Sequence, residues 1–355
     1  MNCPMKISVG LCTYRGEKFI REQLESICDQ KRKVDEIIIC DDCSNDHTLE
    51  ICEDVLKKRD IFYRLIRNDQ SLGVVKNFLK CYSLCTGDII FSSDQDDIWH
   101  EEKVARMMDV FEAEMNVQLI ASDAFLIDQN REVLGLSLRE SLGFQTQGMQ
   151  TSDMLLEMLR TFCITGATMA FRKEFMERYF YESKYWLHDG WLAMVAALKG
   201  QLIYLDVKLT FYRVHEGNAV GVGNVSLLKK YNKTKLWKWK KRKLYKQVIA
   251  IPYYYEDLAV ERSGMYQEFL DVANKKKWNL PKDHLAMIQA CIYFWNQRSQ
   301  LARMNYQECQ QMIHKFKTSN YYQTYSESVY FCYFDWYFWL IYHIRPRKKV
   351  GDFHA

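Results

Sequence analysis

Over its first 128 residues the chain alternates apolar runs with amphipathic ones, and that alternation restricts its possible folds more than any other feature. KISVGLCTY (6–14), DEIIICDD (35–42), IFYRLIRN (61–68), DIIFSS (88–93) and VQLIASDAFLID (117–128) read as strands. The runs between them read as helices. GEKFIREQLESICDQ (16–30) places Phe19, Leu24, Ile27 and Cys28 on one face, and NDHTLEICEDVLKKR (45–59) opens on acids and closes on bases as a helix dipole favours. VVKNFLKCYSLC (74–85) and HEEKVARMMDVFEA (100–113) continue the pattern. Apolar strands separated by helices predict an α/β protein with a mainly parallel sheet covered on both faces. In such sheets ligands bind at the carboxyl ends of the strands.

Asp41, Asp42, Asp94, Asp96 and Asp97 all fall at those ends. Their mutual repulsion needs an offset, and a divalent cation supplies one by turning repulsion into coordination. A single DxD also matches a solvated turn, so position after a buried strand carries the argument. The nucleotide loops GxGxxG and GxxxxGK[ST] are missing from the sequence, which argues against a dinucleotide-dependent dehydrogenase or a P-loop NTPase. The 49 basic residues nearly balance the 45 acidic ones, and a net charge of +4 is too mild for a nucleic-acid partner of the whole chain. The 12 cysteines lie mostly in apolar runs, and the Cys40–Cys43 pair has no second pair to complete a zinc site. They read as reduced core residues of a cytoplasmic protein. The N-terminus lacks a secretory pattern and no uncharged run reaches the roughly 20 residues of a membrane span, so the chain is expected inside the cell.

Four segments in fixed order, ISVGLCTYRGEKFIREQLESI, IIICDDCSNDHT, NDQSLGVVKN and GDIIFSSDQDDIW, resemble the family 2 glycosyltransferases of the GT-A fold, over residues 6 to about 223. The wording of SDQDDIW, ITGATMAF, LHDGW and YRVHEGNAVG is similar to the bacterial rhamnosyltransferase-like group. The resemblance implies a Rossmann-like GT-A catalytic domain at 1–223 and a helical, basic and aromatic C-terminal extension at 224–355. It implies an inverting transfer from a nucleotide diphosphate sugar. Thr13, Tyr14 and Arg15 would lie against the nucleotide, Asp41 or Asp42 would take base and ribose, and Asp94 would contact the ribose side. Asp96 would be the main ligand of Mn2+ or Mg2+, with His215 as a further ligand and Arg213 facing the diphosphate. Asp189 matches the catalytic base, and Gly166, Ala167, Thr168, His188 and Trp191 match the acceptor side. From residue type alone several of these keep a second reading. Asp41 and Asp42 suit a helix N-cap, Asp97 a helix start, Asp189 a cap of the helix GWLAMVAALKG, and His215 a surface histidine.

The donor sugar implied is L-rhamnose from dTDP-rhamnose, with a UDP-hexose as the alternative within the family. A nucleotidyltransferase and a catalytically silent lipid- or glycan-binding module are the readings from other classes. The acceptor implied is a polyprenyl-diphosphate-linked glycan of a bacterial surface polysaccharide. LLKKYNKTKLWKWKKRKLYK (227–246) is rich in lysine and aromatic residues and contains no acid, and YFCYFDWYFWLIYHIRPRKK (330–349) ends in bases. This composition suits either a basic helix face packed on the catalytic domain or a peripheral contact with the inner face of the membrane. No nucleic-acid module accompanies the charge.

Overall fold

A computed structural model describes residues 4–142, 151–161, 164–215, 257–326 and 331–344. The chain divides into two compact units, one comprising 1–158 with 162–230 and the other 159–161 with 231–355. The boundary expected at 223/224, the loop after His215 and the lysine-rich stretch 227–246 lie outside the described residues.

The first unit is built on strands β1 (Ile7–Thr13), β2 (Glu36–Asp41), β3 (Phe62–Arg67), β4 (Ile89–Ser93), β5 (Ile98–Trp99), β6 (Leu119–Ile127), β7 (Val133–Ser137), β8 (Met169–Arg172) and β9 (Leu202–Arg213). Its helices are α1 (Ile20–Cys28), α2 (Thr48–Leu56), α3 (Val74–Leu84), α4 (Lys103–Ala113), α5 (Leu138–Ser141), α6 (Thr151–Arg160), α7 (Lys173–Tyr179) and α8 (His188–Leu198). One sheet runs in the order β3-β2-β1-β4-β8-β6-β9-β5, with β7 against β6. β3, β2, β1 and β4 are parallel neighbours, as the helix-separated runs predict. β8 runs antiparallel to both β4 and β6, and β6 pairs parallel with β9.

Every residue of β1, β2 and β4 is buried, which accounts for their near-continuous apolar character. β3 lies at the sheet edge and alternates in exposure. Helix α1 buries Ile20, Leu24, Ile27 and Cys28, and α4 buries Val104, Met107, Met108 and Phe111; these stripes close a core with Val9, Leu11, Ile37 and Phe91. Cys12, Cys28, Cys40, Cys52, Cys81 and Cys85 are buried in this unit as core residues.

The second unit is helical over its described residues, at 257–275, Lys282–Ser299, Tyr306–Thr318, Tyr321–Tyr325 and Phe331–Ile344. Phe294 packs against Phe316, Tyr322 and Tyr325. Asp335, the acid that interrupts the aromatic run, is buried; Arg298 Nε and Tyr322 Oη donate to it at 3.1 and 2.6 Å. Tyr333, Tyr337 and Leu340 stand exposed on the same helix. No helix among the described residues is long and apolar enough to cross a membrane.

Candidate active site

The carboxyl ends of β1, β2 and β4 lie side by side because β1 pairs with both of its neighbours in parallel register. Thr13 Oγ1 donates to Asp41 Oδ1 at 2.7 Å, and Ser44 donates to the same carboxylate from its backbone and its hydroxyl. Asp41 is fully buried, so its carboxylate braces the first two strand ends. Asp42 accepts from Leu72 N, Ser71 Oγ, Asn68 Nδ2 and Gly73 N at 2.7 to 3.0 Å. Burial alone would raise its pKa, but those donors together hold it below the ordinary aspartate value. Asp42 therefore anchors the loop before α3. Neither carboxylate caps α2, whose first turn is held by Asp46 through Thr48.

Tyr14 and Arg15 are exposed at the mouth of β1, with Arg15 in left-handed backbone geometry at φ 52° and its amide donating to Ser44 Oγ. Gln95 clasps this turn from the β4 side: its amide group donates to Tyr14 O and accepts from Tyr14 N at 3.0 and 2.8 Å. A Cβ at Gly16 would push the Gln95 side chain out of this clasp.

The short strand β5 orders the acids. It pairs antiparallel with β9, Ile98 opposite Phe211 and Trp99 opposite Thr210, and so sets Asp96 and Asp97 beside the end of β9. His215 Nε2 lies 2.9 Å from Asp96 Oδ2. Asp97 is buried, and its Oδ1 accepts from Arg213 N at 2.9 Å. It does not sit at a helix start; its Oδ2 has no hydrogen-bond partner, and burial with the charges of Asp96 and Asp94 pushes its pKa well up. Burial, then Asp96 and Asp189, push the Asp94 carboxyl up to about 8 against the pull of Lys103. Asp94, Asp96, Asp97 and Asp189 thus share one electrostatic neighbourhood, and all four also raise the pKa of the buried Tyr212 phenol.

Asp96 and His215 form an oxygen and nitrogen donor pair suited to a divalent cation, and the repulsion around Asp94 and Asp97, which Lys103 offsets only in part, is what a cation would relieve. Among the described residues no group of three or more His, Cys, Asp or Glu side chains is gathered into a complete metal site. Arg213, expected at the diphosphate, turns its guanidinium to groups of the protein itself. Its side chain is buried, with Nε donating to Asp96 O at 2.7 Å, Nη1 to Gln129 O at 3.2 Å and Nη2 to Glu22 Oε2 at 2.7 Å, over the Phe19 ring. Its role here is to brace the acid loop.

Asp189 lies in the first turn of α8, where Oδ1 accepts from Gly190 N at 2.7 Å and Oδ2 from Gly166 N at 2.8 Å. Asp189 is thus not the cap of α8, which is Leu187, but its carboxylate takes one free amide of the first turn. Gly166, Ala167 and Thr168 form a buried one-turn 3-10 helix whose amide, not whose side chains, reaches Asp189. His188 is buried and stacks on Phe78 at 3.9 Å, with no hydrogen-bond partner on either ring nitrogen. Trp191 is a core residue: it is fully buried and Nε1 donates to Tyr179 O. It does not line an acceptor surface. Sequence reasoning missed Glu22, Gln95 and Lys103. Gln95 stands within the SDQDDIW segment itself, whereas no motif marks Glu22 or Lys103.

The sequence model of the family "Glycosyl transferase family 2" matches residues 8–180. A dTDP-rhamnosyl transferase, RfbG of Shigella flexneri, is 33% identical over 252 residues, covering 68% of this chain and 84% of the relative. Abequosyltransferase RfbV of Salmonella typhimurium is 32% identical over 156 residues, 42% of this chain and 43% of that one. Among solved structures, Staphylococcus aureus TarS 1–349 in complex with UDP-GlcNAc aligns with a TM-score of 0.54 at 18% identity, covering 87% of this chain and 79% of TarS 1–349. That likeness is one of fold, the GT-A type.

Proposed function

The chain belongs to glycosyl transferase family 2, and we propose that it moves a sugar from a nucleoside diphosphate donor to a glycan acceptor with inversion, using Asp189 as base. The observation that carries this reading is the meeting of Asp189 with the Asp94–Asp96 pair in one electrostatic neighbourhood. On this reading the base for the acceptor and the carboxylates for the donor side serve one reacting centre. The acceptor oxygen bonds to the anomeric carbon, the bond from that carbon to the diphosphate oxygen breaks with its electron pair, and the acceptor proton passes to Asp189. Asp96 and His215 would hold Mn2+ or Mg2+, which supplies neutralisation of the leaving diphosphate when bound. Thr13, Tyr14, Arg15, Asp41, Asp42 and Asp94 shape the nucleotide side. Gly166 N–H orients the base.

The relation to a dTDP-rhamnosyl transferase supports dTDP-L-rhamnose as donor. A lipid-linked acceptor suits the basic, aromatic composition of 227–246 and the exposed Tyr333, Tyr337 and Leu340, which favour contact with an anionic membrane surface. Calorimetric titration of dTDP and UDP, with and without Mn2+, into wild type and Asp96→Ala tests the donor site. Metal-dependent dTDP binding lost in the variant is expected. Binding that ignores both metal and substitution would overturn the assignment.

A further inference from the structure

A lysine opens α4 immediately behind the acid loop, at the position where a helix dipole most disfavours a cation. Lys103 is also fully buried, a rare state for an ammonium group. Two unfavourable placements at one residue need a compensating contact. Nζ donates to Ala167 O at 2.7 Å and to Thr210 Oγ1 at 3.1 Å, and lies 4.1 Å over the Trp99 ring. Thr210 Oγ1 itself reaches Ala167 O at 3.3 Å, so ammonium and hydroxyl converge on one carbonyl.

That carbonyl belongs to the 3-10 turn whose Gly166 amide donates to Asp189 Oδ2. The turn packs closely on its far side, where a Cβ at Gly166 would come within 3.1 Å of His188 Nε2 and 3.3 Å of Ser92 Oγ. From these contacts we infer that Lys103 is a positioning residue for the transfer reaction, acting through the Gly166–Thr168 turn to hold the Asp189 carboxylate in its reacting orientation. The inference rests on the reading of Asp189 as base. Burial pulls the Lys103 ammonium down to about 7, while the charges of Asp97 and Asp94 hold it up, so the same cation also faces the donor-side acids. Small displacements of a base from its substrate carry large rate penalties, which is why a contact two residues removed matters.

Two readouts test this in full-length protein. With 15N-glycine labelling, the Gly166 amide resonance is expected to shift upfield in Asp189→Asn and in the same direction in Lys103→Met. With dTDP-L-rhamnose as donor, Lys103→Met is expected to lower kcat for dTDP release at least tenfold with KM within twofold, and to lower it less than twofold when Asp189 is already Asn. An unmoved Gly166 resonance in folded Lys103→Met overturns the inference, as does an equal loss in the two backgrounds. Wild-type turnover by Asp189→Asn would instead remove Asp189 as base, and the Gly166 resonance then decides alone whether Lys103 holds the turn. Should Lys103→Met fail to fold, Thr210→Val removes one of the two oxygens that Nζ grips and is read by the same resonance and the same kcat comparison.

Discussion

Replacing Arg213 by methionine removes the brace under the acid loop while keeping most of the apolar contact with Phe19. Three hydrogen bonds go, two of them at 2.7 Å, from Nε to Asp96 O and from Nη2 to Glu22 Oε2. Hydrogen bonds to charged groups contribute about 1.5–3 kcal/mol each. Glu22 is 28% exposed and keeps Arg131, so its share falls at the lower end. The third bond, to the backbone of the exposed Gln129, is replaced by water. The net cost is about 3 kcal/mol, which for a unit of this size lowers Tm by roughly 6–12 °C. Scanning calorimetry of Arg213→Met, Glu22→Gln and the double variant measures both the cost and the coupling. Lysine at 213 should not rescue, since one ammonium cannot satisfy acceptors that a planar guanidinium reaches in different directions. A Tm shift below about 2 °C, or a coupling below about 0.5 kcal/mol, would refute the reasoning that Arg213 braces the site.

Asp189→Asn is expected to lose about 10²–10⁴-fold in kcat, the usual contribution of a general base, with donor affinity within twofold; unchanged dTDP release would remove Asp189 from the chemistry. Asp42 is held below the ordinary aspartate value, so its stabilisation is fully present above that range and lost as pH falls through the lower folded value. Urea titrations should therefore show Asp42→Asn destabilised at neutral pH, with the gap to wild type closing as pH falls below the ordinary aspartate value; a gap that is constant with pH would contradict the assignment. Neutralising Lys240, Lys241, Arg242 and Lys243 together is expected to release the protein from anionic vesicles, and sedimentation with liposomes unchanged by the substitutions would exclude that contact.

The sequence determined the parallel half of the sheet and the location of the acids. Strands β1 to β4 and the helices between them are local periodic patterns, and an apolar run flanked by amphipathic helices has one stable use, as a strand buried on both faces. The clustering of Asp94, Asp96 and Asp97 at a strand end is equally local. What only the tertiary structure decided is how those acids are held. The two-residue strand β5 carries no periodic signal of its own, and it exists because β9, more than 100 residues later, offers it a partner. That pairing brings His215 to Asp96, turns Arg213 inward to Glu22 and the acid loop, and leaves Asp97 buried on the backbone of β9. Trp191 and Lys103 make the same point from opposite sides. An aromatic two residues from Asp189 became core, and a lysine with no motif to mark it became the contact on the Ala167 turn. Residue type and spacing report local conformation; the direction in which a polar side chain points is set by long-range strand pairing and by the requirement that buried donors and acceptors find partners.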